Sequence, residues 1–416
     1  MRQTRRGLQF ATAEGAVANV QVSLVSGFLF TGFALAWGAN DFHLGLLGAI
    51  PFFAYLFQLW GAYLVDRKPE CRRETTAFLG LIARCAWGLM ALLPFIAGCH
   101  SWWIIPWIVA VYLIYHAFWN ASGPGWVAWM AVLVPERIRG RYLGVRSWIL
   151  ESATIVTTIL AGIFIDMARG AGQEREGFAC MQALAVIAGA VCFLIMRRMP
   201  DPGHVSEGVE LHIRYALQPL RNRSFRCLVG FVLCWQIGTN IALPFFSAHL
   251  IKNMQWSFRN IALLTAITSL AAIVTSSWWG RQADRHGASR IMELCGVGLL
   301  LVPLLYTACP WTWRWPIYTS AILNGTFMAG FNVALFSQTL SRLPERTRAM
   351  GSAVLNAISG QAGFLAGVLA GWLAETMSGW HWQLGPILIA NYQVLFAISI
   401  FLRLPVLLLM RQRLGD

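Results

Sequence analysis

Twelve apolar stretches succeed one another from end to end of the chain, each near the roughly 20 residues a helix needs to cross a hydrocarbon core. They fall at about 14–38, 43–65, 75–97, 102–124, 142–166, 178–198, 225–250, 257–280, 291–309, 315–338, 349–374 and 386–409. Only 12% of the 416 residues are charged, against about a quarter in soluble domains. Most of the chain must therefore face lipid or protein at membrane depth.

The punctuation between these stretches is written twice. Gly61-Ala62-Tyr63-Leu64-Val65-Asp66-Arg67 recurs as Gly280-Arg281-Gln282-Ala283-Asp284-Arg285-His286-Gly287, and Pro135-Glu136-Arg137-Ile138-Arg139-Gly140 recurs as Pro344-Glu345-Arg346-Thr347-Arg348-Ala349. Asp66 and Asp284 stand 218 positions apart, Pro135 and Pro344 209. Such spacing predicts an all-α membrane protein of twelve transmembrane helices in two pseudo-symmetric six-helix bundles, 1–198 and 225–416, joined by a polar connector at 199–224. Duplicated bundles of this kind build alternating-access carriers.

Arg2, Arg5 and Arg6 precede the first stretch, and Ala34-Leu35-Ala36 mimics a signal-peptidase site. The run from Gly15 to Trp37 exceeds a usual signal core, and the duplication needs it as the first helix, so it is predicted to be retained.

A net charge of +14 does not point to nucleic acid, because the basic residues are divided among short loops. With the N-terminus placed inside, the outer loops hold only Arg169, Arg175, Lys252, Arg259 and Arg314 of the 32 Lys and Arg. Arg84 and Arg403 fall within spans, and the rest lie on the inner side. That asymmetry predicts a multi-pass plasma-membrane protein with both termini cytoplasmic. Nine scattered cysteines without a C-x-x-C support neither a disulfide framework nor a zinc site.

The repeated loop resembles the signature of the major facilitator superfamily over essentially the whole chain. The second copy matches closely through Gly280, Asp284, Arg285, Gly287 and Arg290; the first, through Asp66 and Arg67, departs at its glycine and at Pro69 and Glu70. The resemblance implies that these loops latch the cytoplasmic side. It also implies that the first, fourth, seventh and tenth helices line a central cavity. Two departures weigh against a drug antiporter: Trp119 stands where many proton-coupled members have an Arg, and the fifth span lacks a Gly-Pro pair.

Candidate binding residues follow from helical spacing. Tyr112, Tyr115, His116, Trp119, Asn120 and Gly123 share one face of the fourth span. Asn19 and Ser23 lie on the first, Trp235, Gln236 and Asn240 on the seventh, and Asn324, Phe331 and Asn332 on the tenth. Polar groups at membrane depth avoid lipid, and rings with amides suit a neutral polyhydroxylated solute. Packing between helices accounts for amides equally well. Arg84 and Glu151 lie at matching depth in the third and fifth spans, as an ion pair or a proton-coupling site; Glu14 and Asp41 read as rim charges or caps. Gly360, Gly363, Gly367 and Gly371 stripe the eleventh span, permitting close helix contact.

No P-loop, metal-spaced histidines or nucleophile motif is present, so neither an enzyme nor a cofactor is predicted. The expected partners are a small-molecule substrate, the lipid bilayer and a coupling proton or cation, with the protein a monomer. The expected activity is proton-coupled uptake of a neutral polar solute such as a sugar or glycoside. The alternatives are efflux of amphipathic compounds and a non-transporting receptor with the same fold.

Overall fold

Breaks in the helices fall where the backbone demands them. In the computed structural model, which describes residues 2–67, 71–96, 102–135, 138–200, 218–310, 312–342, 348–384 and 387–413, the first span is two helices, α1 (Arg2–Val25) and α2 (Gly27–Ala36). Gly27 joins them at φ +60°, a conformation that glycine adopts without steric cost. The second span divides into α3 (Asp41–Phe53) and α4 (Leu56–Arg67), with Pro51 in the last turn of α3. The third divides into α5 (Arg72–Ala91) and α6 (Leu93–Ile96) beside Pro94, which cannot donate to the helix ladder.

Then follow α7 (Ile104–Leu133), α8 (Arg139–Gly170) and α9 (Glu174–Arg198). A short turn leads to α10 (Arg223–Ala248), whose start is capped by the Asn222 side chain and whose end runs into a π-helical turn at His249–Asn253. The remaining helices are α11 (Phe258–His286), α12 (Ala288–Ala308), α13 (Trp315–Ser341), α14 (Arg348–Thr376) and α15 (Asn391–Arg413). Between α14 and α15 lies an unforeseen antiparallel hairpin of β1 (His381–Leu384) and β2 (Ile387–Ala390). Its second strand takes residues predicted to begin the last span.

Among the described residues, eleven helices are long and apolar enough to cross a membrane by length and composition. The third of the twelve spans is α5, with charges at Arg72, Arg73, Glu74 and Arg84. Arg84 is charge-paired with Glu14 inside the first unit, so α5 need not be apolar throughout. Residues 201–217 of the predicted connector, Glu136 and Arg137 of one repeated loop, and Pro344 to Thr347 of the other lie outside the described residues.

The chain forms two compact units. One comprises 1–39, 54–211 and 257–262; the other comprises 40–53, 212–256 and 263–416. Each contains the leading part of one predicted span, 257–262 in the first and 40–53 in the second, and a carboxylate holds its start. In the first unit Asp166, near the end of α8, accepts hydrogen bonds from the backbone N–H groups of Phe258 and Arg259, each at 2.8 Å. In the second, Glu375, near the end of α14, accepts from those of Asp41 and Phe42 at 2.9 and 3.4 Å. Both anions sit on the positive end of a helix and satisfy its free donors. The two carboxylates stand 209 positions apart in the chain, the interval found between the repeated Pro-Glu-Arg loops.

In the first unit α5 packs on α7 and α9, α1 on α8 and α9, and α4 on α7, around the fully buried Trp87 and Trp129. In the second unit α3 packs on α14 through the glycine stripe. A methyl group on Gly45 would sit 2.7 Å from the carbonyl oxygen of Gly367 and the backbone nitrogen of Gly371, and one on Gly367 2.9 Å from that of Ala49. Gly45→Val is therefore expected to lower the unfolding temperature in detergent, at an overpacking cost of about 1–3 kcal/mol. Gly230→Ala, where a methyl group meets nothing within 4 Å, serves as the control. Equal unfolding temperatures for the two variants would refute the close-packing role.

Asp41 is the polar centre of the second unit. It is 1% exposed. One carboxylate oxygen accepts from Lys252 Nζ at 2.5 Å and from the Tyr392 hydroxyl at 2.6 Å, and the other accepts from Asn391 Nδ2 at 2.7 Å. The reading of Asp41 as a rim charge or cap is thereby corrected: its oxygens join α3 to α15 and to the turn that ends α10.

Candidate functional site

An arginine so buried needs room and a counter-charge, and glycines supply the room. Arg84 is 4% exposed. A methyl group on Gly80, one turn earlier in α5, would lie 2.7 Å from its guanidinium, and one on Gly189 of α9 would lie 2.6 Å from its Cβ. The counter-charge is Glu14 of α1, 3% exposed, with 3.3 Å between Arg84 Nη2 and Glu14 Oε1. The predicted pairing of Arg84 with Glu151 is corrected here. Depth along a helix fixes height and not azimuth, and Arg84 is turned toward α1 and α9. Glu151 is only partly buried on α8. Glu14, read as a rim charge, is instead the internal partner.

Around this pair opens a cavity of about 270 Å³ in the first unit. Glu14, Gly15, Ala18 and Asn19 of α1 form one wall, Thr76 and Arg84 of α5 another, Trp119, Ser122, Gly123, Trp126 and Val127 of α7 a third, and Arg146 and Leu150 of α8 a fourth. Indole rings cover the guanidinium groups. The Arg84 guanidinium lies 5.4 Å from the Trp119 ring centre and that of Arg146 lies 4.9 Å from Trp126, favourable cation–π distances. Among the described residues, Arg84 Nε, Arg146 Nε and the Thr76 hydroxyl are buried with no hydrogen-bond partner. Two guanidinium groups against one carboxylate leave the cavity with a surplus positive charge.

Of the predicted binding residues, the structure brings Asn19, Trp119 and Arg84 to this cavity. Asn19 also ties α1 to α8, donating to the Leu150 carbonyl at 3.2 Å and to the Thr154 hydroxyl at 3.1 Å. Tyr112 and Tyr115 are packed within the bundle. Tyr112 stacks on Phe30 with 4.0 Å between ring centres, Tyr115 meets Trp87 at 5.1 Å, and His116 lies edge-on to both tyrosines. Asn120 donates to the His116 carbonyl and accepts from Gln58, a contact that joins α7 to α4. Ser23 is half-buried on α1.

In the second unit, Trp235 stacks on Phe331 with 4.7 Å between ring centres, and the Arg403 guanidinium lies 5.3 Å from Trp235. Asn240, 1% exposed, donates to the Gln236 carbonyl. Gln236 and Asn324 are half-buried and Asn332 is exposed. The sequence reading missed Glu14, Thr76, Trp126 and Arg146.

Of the predicted latch residues, Asp66 lies in the last turn of α4, with Arg67 exposed beside it. Gly280, Asp284 and Arg285 end α11, and Arg290 opens α12; all three charged residues are exposed. Gly287 joins the two helices at φ +86°, which explains a glycine at that point of the motif. Among the described residues no group of three or more His, Cys, Asp or Glu is placed to hold a metal.

Residues 227–411 match the family model of the Major Facilitator Superfamily. The multidrug resistance protein MdtG of Salmonella arizonae is 28% identical over 279 residues, 64% of this chain and 63% of that protein, so the match spans less than two thirds of the relative's length. The multi-drug resistance efflux pump PmrA homolog of Lactococcus lactis subsp. lactis is 23% identical over 295 residues, 68% of this chain and 67% of the relative. Among solved structures, a variant of the nucleoside transporter NupG superimposes with a TM-score of 0.79 at 12% identity, covering 98% of this chain and 99% of that one. Residues 227–411 thus carry the Major Facilitator Superfamily match, and over its whole length the chain has the helical fold of the transporters of that superfamily.

Proposed function

We propose that the chain is a secondary carrier that moves a small organic solute across the plasma membrane by alternating access, driven by an ion gradient rather than by ATP. The observation that carries this reading is a charged, ring-walled cavity enclosed by four helices of one compact unit. Orientation with both termini in the cytoplasm rests on the distribution of Lys and Arg.

Efflux of an amphipathic compound is favoured over uptake of a neutral polar solute. Tyr112, Tyr115, His116 and Asn120, on which the neutral-solute reading leaned, are engaged with one another and with α2, α4 and α5. The cavity presents indole faces and charges instead. The relatives named for multidrug resistance and efflux agree with this direction, although the fifth span lacks the Gly-Pro pair typical of drug–proton antiporters.

Purified protein in liposomes, with an imposed proton gradient and no ATP, is expected to move aromatic amphiphiles and to leave sugars and glycosides unmoved. Glycoside flux alone would restore the uptake reading. Absence of flux for every compound tested would support a receptor that kept the fold.

A further inference from the structure

The cavity of the first unit has a charge preference that its residues declare. Arg84 and Arg146 share a single carboxylate, Glu14, in the cavity lining, and a charge buried without a counter-charge is costly. Three donors that line the cavity have no acceptor: Arg84 Nε, Arg146 Nε and the hydroxyl of Thr76. Arg84 is 4% exposed and Thr76 1%, so solvent does not readily serve these two, whereas Arg146 is half-buried; an unmet buried donor is unfavourable. The surplus is of donors and of positive charge. A neutral ligand would leave the charge unbalanced, and a cation would add to it.

We propose that this cavity binds the carboxylate of an amphipathic organic anion, with Arg146, Arg84 and Thr76 donating to the anionic group and the indoles of Trp119 and Trp126 flanking the ring. A carboxylate has two oxygens that accept from guanidinium N–H groups in a planar arrangement, which matches the free donors. The volume of about 270 Å³ lies near the lower end of small-molecule sites and suits one or two fused rings. The inference rests on the reading of this cavity as a solute site and names the solute's charge.

The test measures binding, independently of flux. The full chain, purified in detergent, is titrated calorimetrically with 1-naphthoate, 1-naphthamide and 1-naphthylmethylammonium, which share a ring system and differ in charge. The carboxylate is expected to bind at least tenfold tighter than either analogue, and Arg146→Gln to bring it down to the level of the amide. Gly123→Leu tests occupancy without touching a charge. Gly123 lines the cavity and a methyl group there meets nothing within 4 Å, so the leucine fills the space, abolishes naphthoate binding and leaves the unfolding temperature unchanged.

Equal binding of carboxylate and amide, no binding of any probe, or full binding by Gly123→Leu would each overturn the proposal. If Arg146→Gln does not fold, the Gly123→Leu comparison decides. Selective binding without flux in liposomes would remove the carrier reading and leave the anion site standing; flux without charge selectivity would do the reverse.

Discussion

Arg84→Ala is expected to be the most damaging single substitution in the first unit, lowering stability by about 3–5 kcal/mol because it strands a buried charge. Glu14 is 3% exposed, and without the guanidinium at 3.3 Å its carboxylate loses its salt-bridge partner and keeps only the half-buried Arg146 as a neighbouring positive charge. The loss also empties the space between Gly80 and Gly189, so a packing deficit adds to the electrostatic one. Thermal unfolding in detergent measures the effect, and the second substitution makes it diagnostic. Glu14→Gln added to Arg84→Ala is expected to recover much of the lost stability, because a neutral amide tolerates the site. Glu151→Gln in the same background is expected to recover none. Rescue by the change at Glu151 and not by that at Glu14 would overturn the assignment of the pair.

The second large effect is expected in the other unit. Asp41→Ala removes the acceptor for three side chains at once: the hydroxyl of Tyr392, which is 0% exposed, the amide of Asn391, 8% exposed, and Lys252. Orphaned buried donors cost about 1–3 kcal/mol each. The Lys252 side chain is 38% exposed, so solvent screens its share. A total of about 2–4 kcal/mol is expected. Asp41→Asn keeps an acceptor and is expected to lose less. An unfolding temperature for Asp41→Ala equal to that of the parent chain would show that the cluster does not hold α3 against α15.

The helices were legible because backbone groups in lipid must bond within their own segment, which leaves long apolar runs as an unambiguous mark. The breaks were less so: Pro51 and Pro94 announce themselves, whereas the turn at Gly27 depends on a local conformation that many glycines never adopt. The glycine stripe of α14 marked itself as a close-contact surface, but its partner, Gly45 of α3, did not follow from spacing. Asn120 illustrates the ambiguity of amides at membrane depth. It lies on the face predicted to bind solute, yet it joins two helices.

The sequence by itself determined the number of crossings, the duplication and the resemblance to the superfamily, all of which depend on period, length and composition along one dimension. Only the tertiary structure decided which charges meet. Arg84 has Glu14 beside it, and Asp41 has Lys252, because helix azimuth and neighbour order bring residues 70 and 211 positions apart into contact. Coulomb energy depends on that separation in space, and separation in space is set by packing.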